Sequence, residues 1–158
     1  MILWRIAAET RIYPATDLSG GGAAKNPGRW NEDSQPVLYT APTIAIAVLE
    51  TAAHIDAAGL PLNRFLIGIE VPESAWTARE VLNILALPST WSAIPAGKAS
   101  VAIGAEWLRS LRSLVLVVPS VIVPEEPATL LNPAHPDASK LTATARRPFE
   151  YDRLFRAR

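Results

Sequence analysis

The sequence predicts an α+β fold, a single compact domain with a mixed β-sheet core and a few short helices. Three observations predict it. Hydrophobic residues make up 49% of the 158 positions and charged ones 19%, enough apolar material for one core and too much for a disordered chain. Fourteen prolines are spread along the chain and impose many short elements, which excludes a bundle of long helices. Apolar runs of strand length alternate with segments of helical length, and no repeat, low-complexity tract or linker divides them, so the domain spans residues 1–158.

Residues 3–7 open the chain as a short strand, and 16–28 follow as a loop of polar and small residues whose Gly20, Gly21 and Gly22 allow it to move. A compact apolar strand over 37–40 leads to Pro42 at a first helical position and to a helix over 44–58 ended by Gly59. Ile44, Ile46, Val48, Leu49, Ala52, Ala53 and Ile55 do not segregate to one stripe, so most of that helix is expected to be covered by protein. Residues 65–71 alternate and are rich in β-branched side chains, which reads as a strand, and 100–111 read as a second helix carrying Trp107. The continuous apolar runs 114–118 and 121–123, joined through Pro119-Ser120, and the short stretch 129–131 end the chain as sheet.

Fifteen Lys plus Arg balance fifteen Asp plus Glu, so bulk charge gives no reason to expect nucleic acid or an anionic membrane as a partner. Any anion must be held locally. Zero net charge also limits colloidal repulsion and leaves room for self-association. Without cysteine there is no disulfide framework, thiolate metal site or cysteine nucleophile. Arg5 arrives before any apolar stretch of signal-peptide length, and the apolar run 114–123 is broken by Pro119 and Ser120, well short of the roughly 20 residues of a membrane span. A cytoplasmic protein is expected.

Gly20-Gly21-Gly22 opens no G-x-G-x-x-G register, and Gly97-Lys98 lacks the earlier glycine of a P-loop. His54 and His135 each stand two residues before an aspartate, a poor zinc set without cysteine, so no metal is assigned. Ser120, His135 and Asp137 supply the ingredients of a hydrolase triad, but Ser120 lacks the G-x-S-x-G elbow that exposes a nucleophile.

Polar residues set in apolar surroundings carry the functional reading. Glu50 lies mid-helix with Ile46, Ala47, Ala53 and His54 as its helical neighbours, so no Lys or Arg of that helix neutralises it. It either marks a solvent stripe or faces a cleft. Arg29, between Gly28 and Trp30 and ahead of Asn31, offers a guanidinium to an anion or to an ordinary ion pair, and Arg5 beside Trp4 poses the same choice. Tyr39 ends a strand just before the Glu50 helix, where its phenol bonds a ligand or satisfies itself at the edge of the core. Ser120, between two apolar runs, is a ligand-binding hydroxyl or one bonded to backbone.

Taken in order, Trp4-Arg5-Ile6, Gly28-Arg29-Trp30-Asn31, Val37-Leu38-Tyr39-Thr40-Ala41, Ala47-Val48-Leu49-Glu50, Val118-Pro119-Ser120 and Asn132-Pro133-Ala134-His135-Pro136 resemble the RES domain family over nearly the whole chain. That family is named for an arginine, a glutamate and a serine, which fall here on Arg29, Glu50 and Ser120. Where it often has two glycines before its Arg-Trp, this chain has Pro27-Gly28.

The resemblance implies an ADP-ribosyltransferase-like fold and the toxin of a type II toxin–antitoxin pair. Such a toxin consumes NAD+ as substrate, by hydrolysis or phosphorolysis of the nicotinamide–ribose bond, or alternatively transfers its ADP-ribose to a cellular protein. The resemblance calls for no further cofactor. The implied partner is an Xre-type helix-turn-helix antitoxin that also binds DNA, and a homodimer is allowed within the complex. Glu50, Arg29 and Ser120 are then the catalytic candidates, with Arg5, Arg29, Tyr39 and Ser120 binding substrate. Glu50 would stabilise an oxocarbenium-like ribose, Arg29 and Arg5 would grip the pyrophosphate, and Tyr39 and Ser120 would touch ribose or nicotinamide. A non-enzymatic binding module built on the five tryptophans is the rival from another class.

Overall fold

The computed structural model describes residues 1–55 and 59–154. In chain order its main elements are β1 (Ile2–Ala8), α1 (Gly21–Lys25), β2 (Leu38–Thr40), α2 (Ile44–Ala52), β3 (Arg64–Glu70), α3 (Glu73–Thr77), β4 (Glu80–Val81), α4 (Lys98–Ser110), β5 (Val115–Pro119), β6 (Pro127–Leu131) and β7 (Thr142–Phe149). The α+β class holds. One sheet is antiparallel in the order β1-β3-β7, and the other, in the order β2-β6-β5-β4, is mixed because β4 runs parallel to β5.

Period-two alternation fixes the layers. Leu3 and Ala7 of β1 share a face with Ile67 and Ile69 of β3 and meet Leu38, Val115 and Leu131 of the other sheet in an apolar core. Each fully buried Leu, Ile or Val there contributes roughly 1.5–3 kcal/mol. Trp4 and Ile6 point the opposite way, where α2 covers the first sheet. Trp107 and Leu108 of α4 cover the outer face of the second sheet over Leu116, Val118 and Leu130. Reciprocal 2.8 Å backbone bonds between Trp4 and Ala41 join β1 to the segment leaving β2.

The structure corrects several expectations. The glycine loop holds a short helix: residues from Gly21 onward coil into α1, and Asp17 Oδ2 accepts from the Ser19 N–H and hydroxyl at 3.2 and 2.6 Å. Gly20, at φ +71°, has no room for a side chain, since a Cβ there would lie 2.7 Å from the Val37 nitrogen. Helix α2 starts as read, with Thr43 Oγ1 accepting from the Ile46 N–H at 3.2 Å, but it ends at Ala52; the expected continuation over 56–58 lies outside the described residues. Nor is it covered on most sides. Ile44 and Leu49 are each 37% exposed, because the sheet receives the side carrying Ile46, Ala47, Val48 and Ala52.

Residues 121–123 form a turn instead of a strand, since Ser120 Oγ takes the Ile122 and Val123 N–H groups, each at 3.1 Å. Strand β7 has no counterpart in the sequence reading: it is an edge strand whose Thr142, Thr144, Arg146 and Arg147 are exposed, so it carries little apolar alternation.

Candidate active site

Glu50 is half-buried, between the buried Ile46 and Ala47 one turn before it and the exposed Ala53 and His54 one turn after, so it stands at the edge of the covered side of α2. Its side chain turns toward the body of the domain and not into bulk solvent. Its Oε1 accepts from the Ser120 hydroxyl at 2.5 Å. Ser120 is 1% exposed, just past β5, and its oxygen already receives the N–H groups of Ile122 and Val123. A hydroxyl has one hydrogen and two lone pairs, so the turn fills the acceptor positions and commits the hydrogen to the carboxylate. His135 is occupied elsewhere, its Nδ1 accepting from the Asp137 N–H at 3.1 Å as the cap of a short 3₁₀ turn. The hydrolase triad is not assembled.

Arg29 donates from Nη1 to two backbone carbonyls, Trp91 and Ala93, each at 2.8 Å. The stacked rings of Trp30 and Trp91, 6.3 Å apart, fasten the same two segments. Partial burial lowers the Arg29 pKa from its ordinary value, and the negative charge of Glu50 and the phenol of Tyr39 work in the other direction. Among the described residues no ion pair or hydrogen bond joins Arg29 to Glu50, whereas Ser120 holds the glutamate directly. Ser120 and Glu50, 70 positions apart in sequence, are thus in direct contact.

Tyr39 lies under the arginine loop. Its hydroxyl accepts from the Trp30 N–H at 2.9 Å and donates to Asn31 Oδ1 at 2.8 Å. Burial pushes the phenol's pKa up to about 12, against the opposing effects of the Trp30 N–H and the Arg29 charge. A Cβ on Gly28 would lie 2.7 Å from this hydroxyl, so the glycine next to Arg29 is the one the loop requires and Pro27 is tolerated before it. Arg5 lies apart. It shares the face of Leu3 and Ala7, between the sheets, and reaches toward the Asp17 carbonyl at 3.5 Å; burial lowers its pKa and Asp17 opposes that.

Three features of the site escaped sequence reasoning. Residues 91–93 present carbonyls, which no side-chain pattern announces. Gly104 of α4 touches the Trp30 backbone so closely that a Cβ would meet its carbonyl oxygen at 1.9 Å. Asn31, 1% exposed, is a hub of hydrogen bonds; a polar residue beside a buried tryptophan was the available signal. Two surface hollows, of about 320 and 510 Å³, are lined by other residues, around Glu70 and Lys140 and around Arg147 and Phe149.

A family model described as RES domain matches residues 2–152. The chain belongs to the RES domain family. A relative from Sphingobium sp. (strain YBL2), named Prs ADP-ribosylating toxin, is 49% identical over 149 residues, covering 94% of this chain and 92% of its own. A Toxin Res from Photorhabdus laumondii is 36% identical over 147 residues, covering 93% and 91%, and one from Yersinia enterocolitica is 38% identical over 140 residues, covering 85% and 86%. The solved Mycobacterium tuberculosis MbcT-MbcA toxin–antitoxin complex contains a chain similar in fold at a TM-score of 0.61 and 17% identity, with 97% of this chain and 87% of that one covered.

Proposed function

We propose that this RES-domain chain is the toxin of a type II toxin–antitoxin pair and that it breaks the nicotinamide–ribose bond of NAD+. The observation that carries the reading is the Glu50 carboxylate, turned toward the domain and held by the hydroxyl of the buried Ser120. In NAD+ the base is a cationic pyridinium and leaves as neutral nicotinamide. The C–N electron pair goes to the ring nitrogen, no acid is needed, and positive charge develops on the ribose carbon and ring oxygen. A carboxylate fixed beside that sugar, accepting from a ribose hydroxyl, favours the charge as it grows. The Ser120 bond keeps Glu50 in one orientation and so avoids reorganisation during the step.

Arg29 holds the pyrophosphate with the part of its fork not used by the Trp91 and Ala93 carbonyls, and Arg5 supplies a second positive charge from between the sheets. Tyr39 contributes its ring edge, since its hydroxyl is engaged in the loop. The acceptor's oxygen or nitrogen then bonds to the ribose carbon and releases a proton to solvent. Water gives ADP-ribose, phosphate gives its phosphorylated form, and a protein side chain gives an ADP-ribosylated protein.

The Sphingobium relative's name favours the last outcome for a chain 49% identical to it, with Prs the first protein to test as acceptor. The MbcT-MbcA neighbour supports an antitoxin partner, for which an Xre-type helix-turn-helix protein is the proposal. The decisive experiment incubates purified protein with NAD+ labelled in its adenylate half, with and without inorganic phosphate and with added Prs, and identifies products by mass. Nicotinamide release with label on ADP-ribose, its phosphate or Prs assigns the acceptor. Intact NAD+ under every condition defeats the reading.

A further inference from the structure

We infer that Asn31 is the positioning residue of the arginine loop, acting on substrate capture through Arg29 and not on bond cleavage; this rests on the proposed NAD+ site. The Asn31 side chain makes five polar contacts. Its Oδ1 accepts from the Gly28 N–H and from the Tyr39 hydroxyl, both at 2.8 Å. Its Nδ2 donates to the Ala23 and Gln35 carbonyls at 2.9 Å and to that of Glu32 at 3.2 Å. These partners lie on both sides of Arg29 and in α1, so one amide closes the loop on itself and anchors it to the body of the domain.

Each half of the amide is needed. Gly28 and Tyr39 bring donors that require an oxygen, and three carbonyls require N–H groups, a fork that at this length Asn alone supplies. At 1% exposure water cannot replace a lost partner. Arg29 projects from the turn between Gly28 and Asn31, so the direction of its guanidinium toward the Trp91 and Ala93 carbonyls, and toward any phosphate, depends on this closure. Ser120, by contrast, holds Glu50 by an independent bond, so the two halves of the site are positioned separately.

Asn31→Asp tests this with little change of shape. At neutral pH a carboxylate would face three carbonyls without a donor. When protonated it again offers one acceptor oxygen and one O–H, and burial raises the pH at which this happens. The variant is expected to keep a cooperative thermal transition, to raise KM for NAD+ by about 10-fold or more with kcat within about 3-fold, and to recover KM as pH is lowered, a trend absent from wild type. In ¹⁵N spectra without substrate, the Arg29 guanidinium protons should exchange faster than in wild type. A loss confined to kcat, or an unchanged KM with unchanged Arg29 exchange, overturns the inference.

Should Asn31→Asp not fold, Gly28→Ala applies the same test, because its Cβ strikes the Tyr39 hydroxyl and opens the loop from the other side. Should wild-type protein leave NAD+ intact, the functional reading fails, and Arg29 exchange alone then decides the positioning role.

Discussion

A hydroxyl with one hydrogen decides the orientation of Glu50, because two backbone N–H groups have already filled the oxygen of Ser120. Ser120→Ala removes the bond to Glu50 and orphans the Ile122 and Val123 N–H groups. It is expected to lower kcat about 10-fold and stability by ~1–2 kcal/mol, read from nicotinamide release and a denaturant titration. An unaltered rate would show that Glu50 is oriented without it. Arg29→Lys keeps the charge but loses the planar fork that spans two carbonyls, so KM for NAD+ is expected to rise about 10-fold or more. Unchanged KM would end the phosphate role of Arg29. Glu50 and Ser120 stood out in the sequence as polar residues among apolar neighbours, and Arg29 as a cation between Gly28 and Trp30 in a stretch that resembles the family's. What Tyr39 does was not legible there, since its engagement with Trp30 and Asn31 comes from tertiary contact.

Helix α4 meets the arginine loop backbone to backbone at Gly104, a contact that leaves no room for a methyl group. Gly104→Ala is expected to cost ~2–3 kcal/mol by overpacking, despite the better helix propensity of alanine, and to lower Tm by about 5 °C or more in a thermal melt. A variant as stable as wild type would mean that α4 and Trp30 separate at no cost. The elements read most reliably from sequence were those with one strongly buried face, such as β1, β3 and α4. Strand β7 was missed because its exposed Thr and Arg residues carry no apolar rhythm, and residues 121–123 were misread because a serine side chain, not a neighbouring strand, takes two of their N–H groups. Exposed Arg146 and Arg147, the following Pro148 and the register shift opposite Leu66/Ile67 also guard the β7 edge against unintended pairing.

At the scale of the molecule, two sheets enclose one core and each carries a helix on its outer face, while the site draws on α2, the end of β5 and the loop before β2. Among the described residues no helix is long and apolar enough to cross a membrane. Such an assembly of distant segments is why spacing alone suggested the residues but not their geometry. Burial of Tyr39 has a consequence for global stability. Its pKa rises from 10.0 to about 12 on folding, so the native state keeps a proton that the unfolded state gives up. The associated stability is full below about pH 10 and is lost as pH climbs to about 12. Denaturant titrations between pH 9 and 12 should show this loss in wild type and a smaller one in Tyr39→Phe; parallel curves would contradict it. The most direct test of the central claim is nicotinamide release from NAD+ by wild type and by Glu50→Ala at matched folded fraction. A fall of about 10²-fold or more is expected if Glu50 favours the developing ribosyl charge, and equal rates would contradict the account.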